Sequence, residues 1–267
     1  MEAYRMRALT LVALLSAAAL SLGASPAPTP APPTLTVFAA ASLHNAFADM
    51  ADRFKASHPG VTVKLNFDGS QILETQIANG APADVFASAD QRSMSKALDA
   101  GLVGTPVVFA GNTLVGIARF DAGGVFSLRD FTRDGFKLAV CVETAPCGNY
   151  TRIALQKMSD DPKFWKDYGK QVLHNVVTQE LNVETVLTKA KVGEVDGGFV
   201  YASDAAHVGP SQFAVFPVPD QDQEIPTYPI AVVKSAPNAS LARAFVDYVL
   251  STDGQAVLVN DGFRRHP

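Results

Sequence analysis

Charge is scarce in this chain, and cysteine scarcer. Of 267 residues only 18% are charged, and the formal net charge is −4. That balance excludes a basic nucleic-acid-binding surface. An anionic ligand would have to be held by local dipoles, because the global field does not attract it. The five histidines, His44, His58, His174, His207 and His266, are not spaced for a zinc motif. No Gly-x-Ser-x-Gly nucleophile elbow and no Walker loop is present; "DGSQ" is too short for one. No internal repeat or heptad run occurs, and the only low-complexity tract is a short run of prolines. Hydrophobic residues make up 48%, which is ordinary for a globular chain with core enough for one or two domains.

The first 33 residues differ from the rest. Arg5 and Arg7 precede an apolar run, Ala8 to Gly23, and small residues follow, the pattern of a secretory signal peptide ending near residue 25. The run falls short of the about 20 apolar residues of a membrane span; a retained anchor is the alternative. "PAPTPAPP", residues 26–33, reads as a stiff polyproline linker. Losing Glu2, Arg5 and Arg7 moves the formal charge from −4 to about −5. No cysteine lies near the cleavage region, so no lipid-anchor cysteine is expected there. The only two cysteines, Cys141 and Cys147, stand in "CVETAPCG". An exported chain meets oxidising conditions, so a local disulfide is expected. A thiol pair or a soft-metal site is the alternative, and no nearby histidine supports it.

From residue 34 the apolar pattern alternates between two periods. "LTVFAA" (35–40) reads as a buried strand, and Leu43, Phe47, Met50, Ala51 and Phe54 form one helix face. "VTVKLNF" (61–67) alternates as a strand; Ser70 precedes a short helix that stops at Gly80. "DVFAS" (84–88) is a third strand, and Asp90 precedes "QRSMSKALDAG". Three strand–helix alternations argue a parallel sheet with both faces covered. The pattern restarts after "NTLVGIA" (112–118), with a strand at 137–142, helices at 148–159, over "KFWKDYG" and at 183–193, and a strand at 196–203. "YPIAVVK" (228–234) returns to extended structure and 239–250 is helical. Two lobes are expected, one of residues 34–112 with 229–267 and the other of 113–228, joined by two crossings. Ligands of such sheets sit beyond the carboxyl ends of the strands, at helix starts.

Several of those junctions carry small or hydroxylated residues: Ser42 in "AAASL", Ser70 in "FDGSQI", Cys147-Gly148 in "PCGNY" and Ser203 in "YASDA". One such serine is a helix cap. Several at one edge of two facing lobes could cage an oxyanion with uncharged N–H and O–H donors. Asp84 and Asp90 read as a strand-end acceptor and a helix cap, with a catalytic carboxylate pair as the alternative. His44 reads as a solvated helix residue.

The stretches "VFAAASL", "GAPADVFASADQ", "GNTLV", "PCGNY", "GEVDGGFVYASDA" and "YPIAVV" run in family order over nearly all of residues 35–265. In them the chain resembles the periplasmic molybdate-binding proteins of ATP-driven molybdate importers. The resemblance implies a type II periplasmic binding fold: two α/β lobes, a hinge of two crossings and a ligand cleft between them. It implies a site for molybdate, and for tungstate with it, made of the hydroxyls of Ser42, Ser70 and Tyr201 and the backbone N–H groups of Cys147 and Val183. The "DGSQ" turn is less serine-rich than the family's, Cys147 stands where alanine is common, and "LNV" is less acidic than usual. It further implies periplasmic location, no enzymatic activity, no cofactor, no protein ligand to molybdenum, a monomer, and a permease with its ATPase as partner. The other readings are a carrier for sulfate or, less readily, phosphate; an exported hydrolase using Asp84 or Cys147; and an adhesive domain. Iron carriers of this fold use paired tyrosines, and no pair is evident in the sequence.

Overall fold

The computed structural model describes residues 32–265; the expected leader, and the linker up to residue 31, lie outside the described residues. The run of small residues after β1 (Thr34–Ala40) turns the chain through a single 3-10 turn, Ala41–Leu43, into α1 (His44–Ser57). Then come β2 (Thr62–Asp68), α2 (Ser70–Ala78), β3 (Val85–Ala87), α3 (Gln91–Asp99) and β4 (Val107–Gly111). After residues 112 and 113 a second set begins: β5 (Leu114–Arg119), β6 (Leu138–Cys141), α4 (Pro146–Asp160), α5 (Tyr168–His174) and β7 (Val176–Glu180). It continues with α6 (Val183–Lys191), β8 (Gly197–Tyr201), α7 (Ala202–Ala205) and β9 (Phe213–Pro217). The chain then returns through β10 (Thr227–Val232), α8 (Ala239–Leu250), α9 (Thr252–Asn260) and β11 (Arg264–Arg265).

The strands form two sheets, ordered β11-β4-β10-β3-β1-β2 and β7-β6-β8-β5-β9. The expected parallel pairing holds for β2-β1-β3 and for β7-β6-β8. β10 runs antiparallel between β3 and β4, and β5 runs antiparallel between β8 and β9. These are the strands next to the two crossings, where the chain changes sheets without a helical crossover to reset its direction.

Alternation along β1 explains why the first sheet is covered twice. Leu35, Val37 and Ala39 pack with Phe47, Phe54 and Phe245 from α1 and α8, while Phe38 packs on the other face with Leu73, Ile77 and Met94 from α2 and α3. The second sheet has its own core around Phe131, Phe199, Val140 and Val186. Two local readings change. Residues 163–167 of "KFWKDYG" form turns and bends rather than a helix, and α5 starts only at Tyr168, whose ring meets Trp165 edge-on and Phe164 at a tilt. α4 starts two residues early because Pro146, with no N–H to lose, suits a first helical position.

Candidate functional site

Strand register brings the candidate residues to one place. β1 and β2 end level, at Ala40↔Asp68, and Ser42 and Ser70 each follow two residues later. In the second sheet β6 and β7 end level at Cys141↔Glu180, and α4 and α6 start just beyond, with Cys147 and Val183 in their first turns. β8 lies against β6 and ends at Tyr201. One cavity draws on all five residues, with Ala40, Ala41, Asp68, Gly69, Ala89, Pro146 and Asn182 completing its wall. Its free space, traced by the centre of a water-sized sphere, is about 10 Å³. That is about the space a single water-sized group needs.

The wall is a set of donors. Ser70 is fully buried, and its hydroxyl oxygen accepts the Ala89 N–H at 2.9 Å, which leaves its own proton free for the cavity. The Tyr201 side chain is 1% exposed and its hydroxyl has no protein partner. Burial, then the neighbouring Tyr228, pushes the Tyr201 phenol well above its ordinary range, so it remains a donor. The first N–H groups of a helix have no intrahelical acceptor. In α6 the Asn182 side chain caps the Thr185 N–H at 3.0 Å and leaves that of Val183 open. In α4 Pro146 has no N–H, so Cys147 carries the first one. A disulfide joins Cys141 to Cys147 and ties this turn to the end of β6. Lysine and arginine are absent from the wall, so N–H and O–H dipoles are what it offers an anion.

Ser42 departs from its reading as a cap. It sits inside the 3-10 turn, the residue before α1 is Leu43, and no side chain caps either helix start. Its hydroxyl instead meets the Tyr228 hydroxyl at 2.9 Å. Ser203 is not in the cavity wall; it accepts from Asn112 Nδ2 at 2.9 Å. Asp84 and Asp90 are structural. The former accepts the N–H groups of Thr36 and Asn238, and the latter caps α3 at Ser93. His44 is exposed and lies edge-on to Phe67.

Sequence reasoning missed four participants. Asp68 puts a carboxylate in the wall; its Oδ1 accepts the Gly69 N–H at 2.7 Å and a proton from Asn182 Nδ2 at 2.9 Å. Asn182 thereby joins the two sheets' segments as well as capping α6. Asn112 and Tyr228 lie behind Ser42. A tyrosine pair also exists, since the Tyr201 and Tyr228 rings are 6.2 Å apart. Burial raises both phenols well above their ordinary range.

A family profile described as bacterial extracellular solute-binding protein matches residues 35–264. The molybdate-binding protein ModA of Mycobacterium tuberculosis is 40% identical over 236 residues, covering 87% of this chain and 85% of its own length. The molybdate-binding protein ModA of Escherichia coli is 35% identical over 264 residues, covering 94% of this chain and 96% of its own. The periplasmic molybdate-binding protein of Azotobacter vinelandii superposes with a TM-score of 0.75 at 22% identity, covering 87% of this chain and all of its own. The fold is therefore the type II periplasmic binding fold, two α/β lobes linked by two crossings with a cleft between them.

Proposed function

The chain belongs to the bacterial extracellular solute-binding proteins, and from that premise we propose that it captures molybdate, and tungstate with it, outside the cytoplasm and delivers the ion to an ABC importer. The observation that carries this reading is the Tyr201 hydroxyl, buried and without a partner in a small cavity whose wall holds several other uncharged donors beside one carboxylate, Asp68. A buried donor left unpaired costs about 1–3 kcal/mol, and a compact oxyanion between the lobes removes that cost. Ser42, Ser70 and Tyr201 donate O–H, and Cys147 and Val183 donate N–H, to the oxygens; no protein atom ligates molybdenum. Lobe one is residues 34–112 with 229–267 and lobe two is 113–228; β10 begins slightly earlier, at Thr227. They close on the ion by hinge motion and present it to a membrane permease with its ATPase. The protein acts as a monomer after loss of its leader, holds no cofactor and makes or breaks no covalent bond.

Calorimetry of the purified, dialysed protein against molybdate, tungstate, sulfate and phosphate tests the reading. Molybdate and tungstate should bind tightly and alike. Sulfate, with shorter bonds, should bind more weakly, and phosphate should bind least because donors dominate the wall. Sulfate or phosphate binding as tightly as molybdate would remove the reading, as would turnover of ester or phosphate substrates.

A further inference from the structure

Ser42 cannot serve an anion unless its proton is free, and what frees it lies outside the cavity. Tyr228 and Asn112 are fully buried, and Ser203 is 1% exposed. The Asn112 amide is oriented by its neighbour, because Oδ1 accepts the Thr113 N–H at 2.8 Å. Nδ2 therefore faces inward with two protons, one for Ser203 Oγ at 2.9 Å and one for the Tyr228 hydroxyl oxygen at 3.2 Å. An amide nitrogen can only donate, so the Tyr228 oxygen is an acceptor there. The Tyr228 proton then needs an acceptor of its own, and the one in reach is Ser42 Oγ at 2.9 Å. The opposite direction, Ser42 donating to Tyr228, would leave a buried phenol proton with nowhere to go.

We propose that Tyr228, held by Asn112, is a positioning residue that donates to Ser42 Oγ and so obliges Ser42 to donate into the anion cavity. The proposal rests on the oxyanion reading above and adds to it residues that touch no ligand. Burial keeps the Tyr228 phenol protonated across the working pH range, so the direction of donation does not reverse. Ser70 is set in the same sense, by the Ala89 N–H. Both serines thus have an oxygen lone pair occupied by the protein and a proton committed to the ligand.

The test is a double-mutant cycle on molybdate affinity with Ser42→Ala, Tyr228→Phe and the pair. Tyr228→Phe keeps the ring, and Asn112 keeps Ser203 as an acceptor. In the wild-type background it should weaken molybdate by about three- to tenfold. In the Ser42→Ala background it should change affinity by no more than about twofold, because the residue it acts through is gone. An equal loss in both backgrounds would mean that Tyr228 merely supports the fold, and would overturn the proposal, as would no loss in the wild type. Neutron diffraction of the deuterated wild type with molybdate bound gives a reading independent of any variant's folding. A deuteron on Tyr228 Oη directed at Ser42 Oγ supports the relay, and one on Ser42 Oγ directed at Tyr228 overturns it. Should wild type refuse molybdate but bind another ion of the calorimetric panel, the functional reading falls alone and the cycle is read on that ion. Should it bind none, both fall.

Discussion

Gly69 offers the sharpest perturbation of the site, because its side chain is missing for a reason that lies in the other lobe. A Cβ at position 69 would stand 2.5 Å from the Leu181 carbonyl oxygen, in the segment that leads into α6. It would also meet the Gln71 amide at 2.6 Å, but that is the end of a flexible side chain that can swing away. The backbone at Gly69 has φ −60°, which alanine adopts freely, so Gly69→Ala strains nothing within its own lobe. To relieve the clash the two segments must separate by roughly 1 Å, enough to restore ordinary van der Waals contact. Two bonds span the same gap and would stretch with it. Gln71 Nε2 donates to the Leu181 oxygen at 2.9 Å, and Asn182 Nδ2 donates to Asp68 Oδ1 at 2.9 Å. The exposed first bond is worth about 0.5 kcal/mol and the second, to a carboxylate, about 1.5 kcal/mol. Together they amount to about 2 kcal/mol, or roughly thirtyfold in molybdate affinity. The unliganded protein should melt where wild type does, since alanine's smaller unfolded-state entropy and its poorer N-capping of α2 act in opposite directions. Calorimetry gives the affinity and small-angle scattering the compactness with and without ligand. An affinity within about twofold of wild type would show that this contact is not part of the bound state, and the closure argument would fail.

The remaining predictions concern single groups. Tyr201→Phe should weaken molybdate by about ten- to a hundredfold, the loss of one donor to a charged oxygen. The melting temperature of the free protein should not fall, because that hydroxyl has no protein partner to lose; unchanged affinity by calorimetry would take Tyr201 out of the site. Mature protein should begin between roughly residues 24 and 34 by intact-mass analysis, and Met1 on the exported protein would refute this. Reducing the Cys141–Cys147 disulfide should lower stability by about 2–3 kcal/mol at most and weaken molybdate by loosening the Cys147 peptide; equal affinity of the reduced and oxidised forms would contradict the second part. Burial pushes the Asp204 carboxyl up to about 7, with Glu184 and Asp261 adding to the rise. An acid raised on folding favours the folded state below its unfolded pKa of about 3.9, and that contribution is lost as pH climbs through about 7. Asp204→Asn should therefore flatten the pH dependence of melting between about pH 4 and 8, and an unaltered slope would refute the assignment.

How far the site could be read from residues alone depended on how local each signal is. β1, α1 and the core helices follow from periods of two and 3.6, which a dozen consecutive residues display, and the structure adds little to them. The orientations of β5 and β10 were not legible, because a strand entering a new sheet looks the same in either direction. The wall of the cavity was legible in part: Ser70 ahead of α2 and Cys147 behind a proline stand out at their own junctions, whereas Val183 and Tyr201 are picked out only by the resemblance. Ser42 marks the limit. Its place in an alanine-rich strand-to-helix turn fits a cap, and only the packed structure reveals that its hydroxyl is turned toward Tyr228, 186 residues away. Asn112 stands 116 residues from Tyr228 and 91 from Ser203. No window of sequence contains that trio, and none of the three is unusual where it stands. A donor's direction is a property of the whole hydrogen-bonded chain rather than of the residue that touches the ligand. The groups that decide whether a serine gives or takes a proton can therefore sit in stretches such as "GNTLV" and "YPIAVV", which carry a resemblance without disclosing their work.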